Sequence, residues 1–185
     1  MPRKVAEGDV VGIDIGAALD GWVGDACYTY PVGGVSARAK WSRAKKLLET
    51  ARECLDAGVA EVRPGGRLGD VGAAIQELAG SRGYGVAREL GGHGVGRKLH
   101  EEPHVSHFGR RGHGMRLREG MTFTIEPMIN EGTPEIGFLE DGWTVVTADG
   151  GLSAQYEHTV AVTADGYEIL TPWHHYLDEP EQNLA

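Results

Sequence analysis

The run Val10 to Leu19 is apolar apart from Asp14, closes on Asp20-Gly21, and is followed by a second run from Trp22 to Val32. Two such runs joined by an Asp-Gly pair predict a β-hairpin, with Asp14 inside the first strand and Asp25 inside the second. From Ser36 the period lengthens. Trp41, Ala44, Leu48, Ala51 and Leu55 recur at intervals of three and four, while Arg43, Lys46, Glu49 and Glu53 fall on the other side. That stripe predicts an amphipathic helix ending near Gly58. A second helix is expected from about Leu68 to Arg82, with Val71, Ile75 and Leu78 inward and Gly83 as its stop. Beyond Gly91 the helical period disappears. Met121 to Met128, Trp143 to Thr147, Tyr156 to Thr163 and Tyr167 to Leu170 read as strands separated by Gly and Asp turns. Strands, then helices, then strands again point to an α+β fold with helices on one face of a sheet, rather than to alternating βαβ units.

Composition narrows the class. A chain of 185 residues with 41% apolar content can bury one core without disulfides, so a single domain over 1–185 is expected, with 178–185 as a polar tail. The 27 acidic against 18 basic residues leave a formal charge of -9, which disfavours an electrostatic grip on nucleic acid or an anionic membrane. Only Cys27 and Cys54 occur, and the N-terminal residues lack the apolar stretch of a signal peptide. A cytoplasmic location is the expectation. The 29 glycines cluster, as in Gly91-Gly92-His93-Gly94-Val95-Gly96, where turns and close backbone approaches are expected.

Five residues stand where a strand would avoid charge: Asp14, Asp25, His93, Glu126 and Glu157. Burying a carboxylate costs several kcal/mol unless it is neutralised, paired or bound to a cation. Any one of the five, taken singly, fits the exposed face of a half-buried strand. Four carboxylates and one imidazole together make an oxygen-rich set, better suited to Mn(II), Fe(II) or Co(II) than to a closed structural zinc site. Their charge is enough for two divalent ions, and paired metals ~3.5 to 4 Å apart are a recurrent hydrolytic arrangement.

The phrases carrying these residues resemble a known family. The IDIG strand with its following DG and GD, then GHGVGRKLHEEPHV, LREGMTFTIEPMI, DGWTVVT and SAQYEHTVAVT are similar, in that order, to the type I (bacterial) methionine aminopeptidases. The likeness runs from about Glu7 to Leu170. It implies a pita-bread (creatinase-like) fold, mostly antiparallel curved sheet with outer helices, whose first part lies upstream of this sequence. It implies two divalent ions, Co, Mn, Fe or Zn, held by Asp14, Asp25, His93, Glu126 and Glu157, with Asp25 and Glu157 bridging. Glu126 would take the proton of the attacking water. His100 would contact substrate and steady the tetrahedral intermediate, and Leu99 and Trp143 would line the methionine pocket, although both also fit plain core packing. The implied substrate is the N-terminal methionine of nascent peptides, met at the ribosome, and the implied full-length enzyme is a monomer.

Other conspicuous residues read as structural. His104, His107 and His113 share a polar stretch with Arg110 and Arg111, the pattern of a solvated loop. His158, next to Glu157, should face the other way, His174 and His175 are incidental, and Cys27 is a buried inert thiol. No histidine precedes His93. Because the family carries a substrate-contacting histidine further upstream, the expectation is either an incomplete enzyme or a short metal- and peptide-binding module with weak or no turnover.

Overall fold

The computed structural model describes residues 4–33 and 39–173. Ser36, the side chain of Trp41, His174, His175 and the tail 178–185 lie outside the described residues.

Strands β1 (Val10–Leu19) and β2 (Trp22–Pro31) form the predicted antiparallel hairpin. Asp20 and Gly21 turn it with φ of 52° and 78°, the double positive φ that matches the twist of the strands. The register sets Asp14 opposite Cys27 and Gly16 opposite Asp25, so both carboxylates project from one face. Ile13 and Ile15 alternate onto the other face and are exposed.

Helix α1 (Ala39–Ala60) buries Ala44, Leu47, Leu48, Ala51, Cys54 and Leu55 and exposes Arg43, Lys46, Glu49 and Glu53. It does not stop at Gly58. That glycine is buried where a Cβ would lie 2.7 Å from Ile75 Cδ1, so it serves the close crossing of α1 over α2 (Leu68–Ser81). Gly83, at φ 80°, lies just beyond the end of α2 as expected.

The later chain supplies short strands, all paired antiparallel. These are β3 (Gly85–Val86), β4 (Gly92–Gly94), β5 (Glu101–Val105), β6 (Thr122–Ile125), β7 (Met128–Asn130), β8 (Ile136–Phe138), β9 (Val145–Thr147), β10 (Ser153–Gln155), β11 (His158–Val162) and β12 (Tyr167–Ile169). Five of them form a sheet in the order β12-β11-β6-β4-β5, and β10-β7-β3 form a second. The run expected as one strand from Met121 to Met128 is broken in two at Glu126-Pro127, since proline cannot donate to a ladder. Phe123, Ile125, Ile129 and Val160 from the sheets meet Leu47, Leu55, Val71 and Ile75 from the helices in one core. Among the described residues no helix is long and apolar enough to cross a membrane.

Candidate metal centre

Three separate segments are laced together to bring the acidic residues into one place. Asp25 N donates to Thr159 Oγ1 at 3.0 Å, and the same hydroxyl donates to the Asp25 carbonyl at 2.8 Å. Glu157 N donates to the Cys27 carbonyl at 2.9 Å, and the Tyr156 hydroxyl to the Thr29 carbonyl at 3.0 Å. The hairpin face bearing Asp14 and Asp25 is thereby fixed against residues 155–159.

His93 enters from β4. Its Nδ1 lies 3.0 Å from the Gly94 carbonyl, and donation there leaves the Nε2 lone pair facing the carboxylates. Nε2 stands 3.7 Å from Asp25 Oδ2 and 3.5 Å from Glu126 Oε1. One ligand atom each from Asp25, His93 and Glu157 lie within 4.8 Å of one another. Thr124 ties His93 to Glu126: its hydroxyl accepts from His93 N at 3.0 Å and donates to Glu126 Oε1 at 2.8 Å. Gln155 Nε2 donates to Glu126 Oε2 at 3.1 Å.

Glu157 is 1% exposed, and neither of its side-chain oxygens receives a hydrogen bond. Burial, and then the charges of Glu126, Asp25 and Asp14, push its carboxyl well above the ordinary carboxylate range. Burial likewise raises Glu126, and Asp14, whose residue is exposed as a whole, is raised by the partial desolvation of its carboxyl and by Asp25. Two acceptors sealed among other acceptors need a cation or a proton, and four carboxylates with one imidazole are the donor chemistry of a hard to borderline divalent ion. The residues fit such a metal.

The remaining expected residues separate into two groups. His100 is at the site, its ring centroid 4.3 Å from that of His93. So is Leu99. Its Cδ1 lies 2.8 Å from the point a Cβ on Gly16 would occupy, and Asp25 Oδ1 lies 3.5 Å from the same point. Trp143 is not brought to the cluster. It is 87% exposed in a turn that Asp141 holds through the Trp143 and Thr144 amides.

His107 corrects the reading of a solvated histidine loop. It is 1% exposed, and Nε2 accepts from Glu126 N at 3.1 Å. Burial pushes its pKa down to about 3, which keeps the ring neutral and the acceptor available. His104 and His113 are exposed as expected. His158 is buried and stacks on Trp173 at 4.6 Å, and Cys27 is buried with its thiol pKa pushed up by that burial. Thr124, Gln155 and Thr159 were not anticipated. Thr124 stands two residues before Glu126 and Gln155 two before Glu157, the same-face spacing of extended chain, which was the available signal.

Residues 1–164 match the sequence model of metallopeptidase family M24. The chain belongs to that family. Methionine aminopeptidase B of Synechocystis sp. is 52% identical over 171 residues, covering 92% of this chain and 61% of that protein. The methionine aminopeptidase of Escherichia coli is 46% identical over 169 residues, covering 91% of this chain and 62% of its own length. This M24 chain therefore spans about six-tenths of the length of these relatives. The crystal structure of methionine aminopeptidase from Rickettsia prowazekii superposes with a TM-score of 0.83 at 46% identity, covering 88% of this chain and 64% of that one. The prolidase from Pyrococcus furiosus superposes at 0.70 with 27% identity, covering 92% of this chain and 43% of that one. The fold is the mostly antiparallel pita-bread fold of these metallopeptidases, present in part.

Proposed function

We propose that this chain forms the metal-holding part of a methionine aminopeptidase, which hydrolyses the peptide bond after an N-terminal methionine. The observation that carries the reading is the buried Glu157 carboxyl, without a hydrogen-bond donor and ringed by Asp14, Asp25, His93 and Glu126. Asp14, Asp25, His93, Glu126 and Glu157 would hold two divalent ions, with cobalt, manganese, iron and zinc all suited to the set. Bound divalent ions would lower the pKa of a water and polarise the scissile carbonyl.

The chain's own residues supply the rest. Glu126, held by Thr124 and Gln155 at its two oxygens, takes the proton of the attacking water and returns it to the leaving amine. His100, beside His93, donates to the oxyanion as the carbonyl becomes tetrahedral. Leu99 lies over Gly16, the residue opposite Asp25 in the hairpin, and offers an apolar surface to an unbranched thioether side chain. The physiological substrates would be nascent chains at the ribosome, met by a monomeric enzyme in the cytoplasm.

A second reading, a peptide- and metal-binding module of the same fold with little turnover, is favoured by the open side of the site. Asp14 and Trp143 are both exposed. Hydrolysis of a Met-Ala-Ser peptide, beside an Xaa-Pro peptide, with added Mn(II) or Co(II) separates the two. Release of free methionine that His93→Ala abolishes is the expected result. Metal binding without turnover at high protein concentration would establish the module instead, and preferential cleavage of the Xaa-Pro peptide would move the chain toward the prolidases.

A further inference from the structure

Glu126 sits where the sheet runs out. The ladder of β6 with β11 ends at Ile125 opposite His158, and Pro127 follows. Its amide is therefore left without a strand partner in a buried position, where an unpaired N–H is costly. The partner it finds is a side chain, His107 Nε2 at 3.1 Å.

His107 is itself seated by helix α2. A Cβ on Gly72 would lie 2.4 Å from the Phe108 carbonyl oxygen and 2.7 Å from that of Ser106, so the backbone on both sides of His107 rests directly on the helix. A Cβ on Gly69, one turn earlier, would meet the carbonyls of Arg110 and His113 at 2.5 Å. The 106–113 loop is thus docked on two glycines of α2, and the docking leaves His107 little freedom.

We propose that His107 is a positioning residue for Glu126, and that α2 sets the direction of the Glu126 carboxylate through it. The inference rests on the reading of Glu126 as a metal ligand. Fixing the Glu126 amide fixes the backbone from which the carboxylate springs, so that its oxygens meet Thr124 Oγ1 and Gln155 Nε2 while Oε1 remains 3.5 Å from His93 Nε2. The hydrogen-bond partners of metal ligands typically govern affinity by 10- to 100-fold.

The test is the Mn(II) affinity of the intact chain, measured by electron paramagnetic resonance from a metal-free start, with melting temperatures in EDTA recorded in parallel. His107→Leu should weaken binding by roughly 10- to 100-fold. His107→Gln, which places an acceptor oxygen near the position of Nε2, should recover most of that loss. Lower melting temperatures with unchanged affinity in both variants would overturn the proposal, because a merely structural histidine gives that pattern. Should His107→Leu fail to fold, Gly72→Ala keeps the imidazole and lifts its loop, and it should weaken Mn(II) binding in the same direction; unchanged affinity there overturns the proposal too. Failure of the unmodified chain to bind Mn(II) would instead overturn the metal reading, and this inference with it.

Discussion

Glu157→Gln should stabilise the metal-free protein and abolish most of its response to metal. Glu157 is 1% exposed and its carboxyl is raised above its ordinary value of 4.5 by burial and by Glu126, Asp25 and Asp14. The folded state therefore holds a proton that the unfolded state has released between pH 4.5 and the raised value, and stability falls as pH rises through that window. Taking up that proton at pH 7 spans 2.5 pH units, about 3 to 4 kcal/mol at ~1.4 kcal/mol per unit. Glutamine has nearly the same shape, needs no proton, and can donate to the neighbouring carboxylates. For a chain of this length about 3 to 4 kcal/mol corresponds to a rise of roughly 6 to 16 °C in melting temperature. Thermal unfolding followed by circular dichroism in EDTA should show that rise at pH 7 and almost none at pH 4. Saturating Mn(II) should reverse the order, since a ligand at 1,000 times its Kd stabilises the native state by about 4 kcal/mol and the variant forgoes much of this. A glutamine variant less stable than the unmodified protein in EDTA at pH 7 would refute the reasoning.

Thr159→Val, nearly isosteric, removes the hydroxyl that binds both the amide and the carbonyl of Asp25, and should cost about 1 to 3 kcal/mol in denaturant titrations while weakening Mn(II) binding. Cys27 is buried on strand β2 with its thiol pKa pushed up, so a thiol reagent should modify it only at the rate of unfolding; fast labelling of the native protein would contradict its placement. Leu99→Ala should raise KM for a Met-Ala-Ser peptide while leaving Mn(II) affinity unchanged, because Leu99 lies over Gly16 beside the site and offers no ligand atom.

The parts of this fold legible in the sequence are those with a sustained local pattern. The Asp20-Gly21 turn and the apolar stripe of α1 are written in adjacent residues, so both emerge close to where they were expected. Strands β3, β4, β8 and β10 have two or three residues each, too few for any period to show, and their existence depends on partners far away in the chain. Gly58 misleads for a similar reason, since a glycine that ends a helix and one that lets two helices cross look alike until the neighbour is known. Asp14, Asp25, His93, Glu126 and Glu157 stood out as polar residues in apolar phrases, and the fold gathers them. His107 could not be found that way. It shares its stretch with His104, Arg110, Arg111 and His113, and only the end of the β6 ladder gives it a backbone amide to hold. Trp143, placed at a pocket by resemblance alone, is exposed because nothing in the described chain reaches across to meet it.

Anomalous X-ray diffraction from crystals of the chain grown with Mn(II) tests the metal centre most directly. The expected map has manganese peaks between β2, β4 and the 155–159 segment, coordinated by Asp14, Asp25, His93, Glu126 and Glu157, with Glu157 touching two of them. Manganese bound only at surface carboxylates, or a Glu157 carboxyl still buried and without a metal at saturating Mn(II), would contradict it.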